Sequence, residues 1–354
     1  STNFAPTTTA EIGYYDLRFM VTDTDDGTSN WSTYDDVLFV ASNPPELTSY
    51  SLLNNDIYRT GTSVILVGVY DIEDSNSSMS LVAEHRSLSG NWSSSYFHPA
   101  WFNHTSELWS ANFTPTIMAE LGAYDIRVKV VDLDGGSSDW STHPDDVTVR
   151  NNGPQFADYT FTGTEGTSNL SHAELHRSDT MSILVNSSDI EDTEADHAVS
   201  VEHRSYSGDW STAYLSNATY SQEHQSWLFQ FTPLPVSELG FYDIRINVSD
   251  SDGDSTGWQE FNDVITVLNN IPVLVNHSIN SSVLRANTII LELNASDIED
   301  SEASLEVIVN YRSPAGDWAD EHLYNPYYNH EIEAWQIVFA PMESTELGSY
   351  DFKV

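Results

Sequence analysis

A tyrosine that opens an alternating strand recurs at positions 15, 124, 242 and 350, and no other feature constrains this chain so strongly. Around the second copy the sequence reads Glu120-Leu-Gly-Ala-Tyr-Asp-Ile-Arg-Val-Lys-Val-Val-Asp-Leu-Asp-Gly135. The pattern returns from Glu11, from Glu238 and from Glu346, where it runs to Val354. Tyr124, Ile126, Val128 and Val130 alternate with Asp125, Arg127 and Lys129, the period-two signature of a strand with one buried face. A glycine two residues ahead of each tyrosine marks a tight corner. The tyrosines are spaced by 109, 118 and 108 residues. A solenoid repeats every 20–50 residues or so; a period this long belongs to an array of units that each bury a core.

Other landmarks keep step with the tyrosines. Between 44 and 152, a weak strand Leu47–Leu52 precedes a strong one, Ser63–Tyr70. Asp71-Ile-Glu-Asp74 follows as a loop, then strand Ser80–Arg86, a turn at Ser89–Trp92 leading into another short strand, and strand Leu108–Phe113. The same order recurs with Asp189-Ile-Glu-Asp192 and Asp297-Ile-Glu-Asp300. Each unit leaves through an Asn-rich, Pro-ended stretch: Asn43-Pro-Pro45, Asn151-Asn-Gly-Pro154 and Asn269-Asn-Ile-Pro272. Proline cannot sit in a central ladder, so these read as short, stiff linkers. The longer spacing of the second interval is placed in the polar loop Gly163–Glu174.

A tyrosine at a glycine corner resembles the tyrosine corner before strand F of an immunoglobulin-like sandwich. With the acidic loop after the second strand, the Asp-x-Asp-Gly after the tyrosine strand and the Asn/Pro linkers, the whole chain resembles tandem immunoglobulin-like repeats, cadherin-like or PKD-like, of large archaeal or bacterial surface proteins. The linkers carry Asn-Asn where true cadherins carry an acidic pair. The resemblance implies an all-β fold: tandem immunoglobulin-like β-sandwich domains joined by short Asn/Pro linkers. The expected division is 1–43, the C-terminal part of one domain; 44–152 and 153–270, two full domains; and 271–354, the N-terminal part of another. The chain thus reads as a piece of a longer polypeptide.

Composition narrows the function. The net charge of −42 excludes nucleic acid as a default partner, since phosphate binding requires basic patches. The arginines fall at repeat positions, Arg59/Arg177/Arg285, Arg86/Arg204/Arg312 and Arg18/Arg127/Arg245, and read as partners of local carboxylates. There is no cysteine, so no disulfide framework. The longest apolar runs, such as Val64–Val67, are too short to span a bilayer. Nine of the ten tryptophans obey the repeat, and the Trp109/Trp227/Trp335 series reads as core. The exception, Trp101, together with Tyr327 and Tyr328 at the corresponding loop, is the candidate contact patch.

In a sandwich of the implied topology the two acidic loops share one end. That end would gather Asp71, Glu73, Asp74, Asp132 and Asp134 in one domain, and Asp189, Glu191, Asp192, Asp250 and Asp252 in the next. Asp297, Glu299 and Asp300 begin a third set. Clustered carboxylates repel unless protonated or bridged, and Ca²⁺, which takes six to eight oxygens, fits such a set. His85 and His203 align with Tyr311 and read as packing. Sequons abound. Asn186 and Asn294 share a repeat position and head the glycosylation candidates, followed by Asn76, Asn91, Asn103 and Asn217. No nucleophile elbow, zincin motif or phosphate loop is present, and each notable acid recurs once per domain, which argues against an enzyme.

The expectation is a structural segment of an extracellular filament, stalk or surface layer, stiffened by Ca²⁺, with copies arranged head to tail. The alternatives are an adhesin or module binding surface glycans, and an accessory region of a secreted hydrolase.

Overall fold

The computed structural model describes residues 2–88, 90–163, 172–280 and 282–354; most of the loop expected at 163–174 lies outside them. Strands and turns account for the described residues, with two short 3-10 turns and no α-helix. No helix among them is long and apolar enough to cross a membrane. Contacts divide the chain into two compact units: unit 1 is 1–153 with 189–193, and unit 2 is 154–188 with 194–354.

Unit 1 begins with a two-stranded antiparallel sheet, β1 (Gly13–Phe19) and β2 (Ser32–Val40). A sandwich follows, built from β3 (Glu46–Leu53), β4 (Asp56–Tyr58), β5 (Ser63–Tyr70), β6 (Ser80–Ser87), β7 (Trp101–Asn103), β8 (Leu108–Phe113), β9 (Gly122–Val131) and β10 (Ser141–Arg150). One sheet has the order β3-β5-β8-β7 and the other β4-β10-β9-β6. The first edge strand is thus divided between the sheets, β4 pairing in parallel with the last strand. This is the strand order of an immunoglobulin-like sandwich.

The sequence did not reveal β4 or β7. It placed a short strand after Trp92, where the chain makes only isolated bridges, His85 to Ser93 and Phe97 to Phe113. The polar run Ser93-Ser-Ser95 has no apolar alternation to bury, whereas Trp101-Phe-Asn103 does, and the edge strand forms there.

Unit 2 holds a second sandwich with the same order. Its strands are β11 (Gln155–Thr162), β12 (Ala173–His176), β13 (Met181–Ser188), β14 (Ala198–Ser205), β15 (Thr219–Ser221), β16 (Ser226–Phe231), β17 (Gly240–Ser249) and β18 (Gln259–Leu268). They form sheets β11-β13-β16-β15 and β12-β18-β17-β14. The remaining strands are β19 (Val273–Ile279), β20 (Ile289–Ser296), β21 (Asn310–Arg312), β22 (Tyr327–Asn329), β23 (Ala334–Phe339) and β24 (Asp351–Lys353). They form sheet β19-β20-β23-β22 and the pair β21-β24.

The repeated tyrosine motif has a physical role at each of its positions. Tyr124 is buried and its hydroxyl donates to the carbonyl of Glu120 at 2.9 Å. Tyr15, Tyr242 and Tyr350 bond Glu11, Glu238 and Glu346 in the same way. Gly122 and Gly240 hold φ at +113° and +109°, a backbone region open to glycine and little else. The aspartate after the tyrosine caps a bulge in the neighbouring strand. Asp125 accepts the N–H of Asp145 at 2.9 Å, and Asp145 itself has φ +50°. Asp16–Asp36 and Asp243–Asp263 reproduce the pair at 2.8 Å.

Ile126, Val128 and Val130 face Ile65, Val67 and Phe113 across the first core, each such side chain stabilising by about 1.5–3 kcal/mol when fully buried. Trp109 lies in that core and donates its indole N–H to the carbonyl of Asn76 at 2.9 Å. Trp227 and Trp335 bond Glu194 and Glu302 at 2.9 and 3.0 Å, as the packing role requires.

The other two tryptophan series do not enter the core. They interleave with arginines on the outer face of the tyrosine-strand sheet. The Arg127 guanidinium lies between Trp92, at 4.4 Å, and Trp140, at 4.2 Å, while Arg86 covers the far side of Trp92 at 4.7 Å. Arg245 lies between Trp210 and Trp258 at 4.7 and 4.4 Å, with Arg204 over Trp210. Glu84 bonds Arg127 at 2.8 Å and Glu202 bonds Arg245 at 2.7 Å. For these arginines the reading as partners of neighbouring carboxylates holds, and the indoles add cation–π attraction.

Candidate functional site

The Asp-Ile-Glu-Asp loop is a turn that aims its glutamate at the preceding linker. Asp71 ends the run of β5, and its Oδ1 accepts the N–H groups of Glu73 and Asp74 at 2.6 and 2.9 Å. A side-chain carboxylate bonded two and three residues ahead closes an Asx turn. Glu73 then meets the chain just before Pro44. Its Oε2 accepts the N–H of Asn43 at 3.0 Å and the Ser42 hydroxyl at 3.1 Å; its Oε1 accepts the Asn43 side-chain amide at 2.6 Å. An N–H beside a proline lies outside any ladder and must find an acceptor. A carboxylate gives it a strong one.

The same relationship holds at the other two loops. Within unit 1, Asp189 accepts from Glu191 and Asp192, and Glu191 accepts the side-chain amide of Asn152 at 2.6 Å and its N–H at 3.3 Å. Within unit 2, Asp297 accepts from Glu299 and Asp300, and Glu299 accepts the N–H and the amide of Asn270 at 3.0 and 2.8 Å.

Arginine reinforces two of these clamps. Arg59 Nη1 lies 3.1 Å from Glu191 Oε2, with the side chains only 11% and 2% exposed, and its Nε donates to the carbonyl of Ala119 at 2.8 Å. This revises the reading of Arg59 as a partner of local acids, since Glu191 is 132 residues away in sequence. Arg177 donates to the equivalent carbonyl, Ser237, at 2.8 Å, and its own carbonyl receives the Asn270 amide at 2.8 Å. Backbone hydrogen bonding from Glu299 holds the Asp297 carboxyl below the usual carboxylate range, and the charge of Arg177 adds to the effect.

In unit 1 the five acids of the first set come together. Asp132 accepts the N–H of Gly136 at 2.7 Å through Oδ1 and the Ser42 hydroxyl at 3.2 Å through Oδ2. A Cβ at Gly136 would lie 2.4 Å from Asp132 Oδ2 and would make that carboxylate shift. Asp74 accepts the N–H of Leu133 at 3.3 Å. Desolvation, and then the charges of Asp74, Asp132, Glu73 and Asp71, push the Asp134 carboxyl upward.

Most of these oxygens are engaged by the protein itself, and no three His, Asp or Glu side chains among the described residues are grouped so as to hold a metal ion. Three oxygens of these loops are buried with no hydrogen-bond partner: Asp71 Oδ2, in a residue only 7% exposed, Asp189 Oδ2 and Glu299 Oε2. The second set is divided: Asp189, Glu191 and Asp192 lie in unit 1, while Asp250 and Asp252 lie in unit 2, where Asp250 accepts the N–H groups of Asp252, Gly253 and Asp254 at 2.8–3.0 Å.

The remaining candidates sit elsewhere. Trp101 is on the edge strand β7, 44% exposed, and Tyr327 is on the edge strand β22, 49% exposed. Tyr328 points the other way. It packs on Trp335 and donates to Glu302 at 3.1 Å, so it adds nothing to an exposed patch. Asn91, Asn103 and Asn217 are exposed and Asn76 is half-buried. Asn186 and Asn294, ranked first in sequence, are half-buried within strands, Asn186 bonded to Asp158 and Ser226 and Asn294 to the carbonyl of Glu333 at 2.9 Å. His85 and His203 are core residues, as their alignment with Tyr311 implied.

No protein-family model matches the chain, and no curated protein matches its sequence. Among solved structures, titin domains Z1Z2, crystallised with telethonin, align with 66% of this chain and 100% of their own at 12% identity and a TM-score of 0.34. A marsupial T cell receptor covers 87% of this chain and 99% of its own at 9% identity and a TM-score of 0.30. FdeC, an Escherichia coli adhesin, covers 88% and 93% at 12% identity and a TM-score of 0.24. The immunoglobulin-like assignment rests on the strand order described above.

Proposed function

We propose that this chain is a structural segment of an extracellular array of immunoglobulin-like domains, divided at 1–43, 44–152, 153–270 and 271–354, with copies or further domains following head to tail. The observation that carries this reading is the glutamate–asparagine clamp, which ties the linker ahead of each acidic loop to that loop at Glu73, Glu191 and Glu299. A linker held by its N–H and its side chain loses the torsional freedom that would let neighbouring domains swing. Rigid joints suit a filament, stalk or surface layer. The chemistry at these loops is hydrogen bonding and ion pairing, so the reading is of a non-catalytic protein.

Calcium belongs to the same proposal as a stiffening ligand. The buried, unpartnered Asp71 Oδ2, with Asp189 Oδ2 and Glu299 Oε2 at the equivalent loops, supports it; the engagement of neighbouring oxygens such as those of Asp132 by protein donors weighs against it. Glycans on the exposed Asn91, Asn103 and Asn217 would fit an extracellular site. A second reading, an adhesive module for surface glycans, is supported by the exposed ring of Trp101 on an edge strand.

Small-angle scattering tests the principal reading. The triple variant Glu73→Gln, Glu191→Gln, Glu299→Gln should keep its strand signal by circular dichroism and show a broader distribution of interdomain distances. Identical scattering profiles for variant and parent would overturn it.

A further inference from the structure

A stacked histidine–tyrosine pair sits in the core of each sandwich, and in the last set of strands the pair is reversed. His85 lies on Tyr96 at 4.3 Å and 3°, and His203 on Tyr214 at 4.7 Å and 11°. At the third position Tyr311 takes the strand site and His322 the loop site, stacked at 5.6 Å and 18°. The phenylalanine that closes each cluster edge-on is Phe113, Phe231 or Phe339, at 5.4, 5.3 and 5.0 Å. The reversal shows that the ring stack is what the core requires, and that tyrosine fits the strand site.

His85 and His203 are 5% and 4% exposed. Their Nδ1 atoms are buried without a hydrogen-bond partner. His85 Nε2 faces the Ser95 hydroxyl at 3.4 Å, and His203 Nε2 accepts the N–H of Tyr214 at 3.3 Å. No carboxylate faces either ring among the described contacts. From β9 and β17 the facing titratable groups are Tyr124 and Tyr242, and from the segments after β6 and β14 they are Tyr96 and Tyr214. From β8 and β16 only Phe113 and Phe231 face the rings. The flanking acids Glu84 and Glu202 lie on the opposite strand face, bonded to Arg127 and Arg245, and Arg86 and Arg204 bond Asp125 and Asp243. Arg59 and Arg177 lie beyond the tyrosines, bonded to the carbonyls of Ala119 and Ser237. A proton added to either imidazole would be a buried cation with no counter-charge.

We propose that His85 and His203 are proton-triggered latches, holding β6 and β14 to their cores when neutral and releasing them when the medium turns acidic. Burial pushes both imidazoles down from 6.5 to about 4, against a smaller opposing effect of Glu84 and Glu202. The unfolded chain takes up the proton near the ordinary value, the folded chain only near 4. The stability each neutral ring contributes is therefore complete above pH 6.5 and is lost as pH falls toward 4. At pH 5 each latch lowers the folding equilibrium constant about 20-fold relative to pH 7.

The experiment uses the full chain labelled with ¹³C at histidine Cε1, with the two signals assigned by their loss in His85→Tyr and His203→Tyr. In the folded chain both should remain neutral down to pH 5. The double variant should lose much less melting temperature than the parent between pH 7.5 and 5, since carboxylate titration is common to both. Imidazoles that titrate near 6.5 in the folded chain, or a double variant as acid-sensitive as its parent, would overturn the proposal. If the double variant does not fold, the parent's titration decides the matter alone.

Discussion

Glu73 grips Asn43 twice, through the backbone N–H at 3.0 Å and the side-chain amide at 2.6 Å. The two bonds differ in consequence. Asn43→Ala removes one donor and leaves the backbone bond, and should cost about 1.5–3 kcal/mol as a charge-assisted bond. Glu73→Ala leaves both Asn43 donors without their acceptor, while the Ser42 hydroxyl keeps Asp132, and should cost more. Urea unfolding followed by tryptophan fluorescence would rank them; equal effects would mean that the backbone bond contributes nothing.

Arg59 and Glu191 form a pair largely withdrawn from water, and breaking such pairs is costly because one charge is stranded. Arg59→Met should destabilise unit 1 by about 3 kcal/mol. Adding Glu191→Gln, which removes the stranded charge, should recover part of that loss. A double variant no better than Arg59→Met would assign Arg59 a packing role alone.

Arg127 is planar between two indoles, so charge alone does not describe it. Arg127→Lys keeps the charge but cannot stack on both rings, and should cost about 1–2 kcal/mol. Arg150→Lys, at a pair exposed by 58% and 49%, should stay within about 0.5 kcal/mol of the parent. Thermal melts of the two variants side by side test the contrast.

Calcium is tested by mass action. If an ion binds at Asp71 and its neighbours, a chelator should lower the melting temperature, and Asp71→Asn should abolish the difference between chelator and added Ca²⁺. Superimposable melts of the parent in both conditions would remove calcium from the proposed function.

The sequence made the fold legible wherever one residue type recurs in a period-two strand. Tyr124, Gly122 and the alternation to Val130 pointed to the corner and its strand because each property is local. The grouping of Asp71 through Asp74 with Asp132 and Asp134 could also be anticipated, since topology alone brings those loops to one end. What the acids do there could not. Their partners are linker amides and, for Glu191, an arginine 132 residues away, and no local pattern records a hydrogen bond formed between elements so far apart. A signal existed all the same: an asparagine of the linker precedes each acidic-loop glutamate, by 30, 39 and 29 residues. The arginine–tryptophan ladder was hidden for a simpler reason. Its two series were read one position at a time, whereas Arg127 makes sense only beside Trp92 and Trp140. The histidine–tyrosine reversal needed positions 85 and 96 to be read as one site. The ranking of Asn186 and Asn294 rested on repeat position, which says nothing about the hydrogen bonds these side chains make.

With many of the arginines drawn into clamps and ladders, the charge that the solvent meets is mostly negative, on a chain of net charge −42. In dilute buffer that skin repels itself, and its mobile counter-ions exert an osmotic swelling pressure on the fold. Brine collapses the repulsion within a few ångströms, whereas pairs withdrawn from water keep most of their attraction. The expected sign is a melting temperature that rises steadily from low to molar NaCl, and a flat or falling curve would contradict it. Concentrated salt, which loosens proteins held together by surface ion pairs, would be the medium in which this one sits tightest.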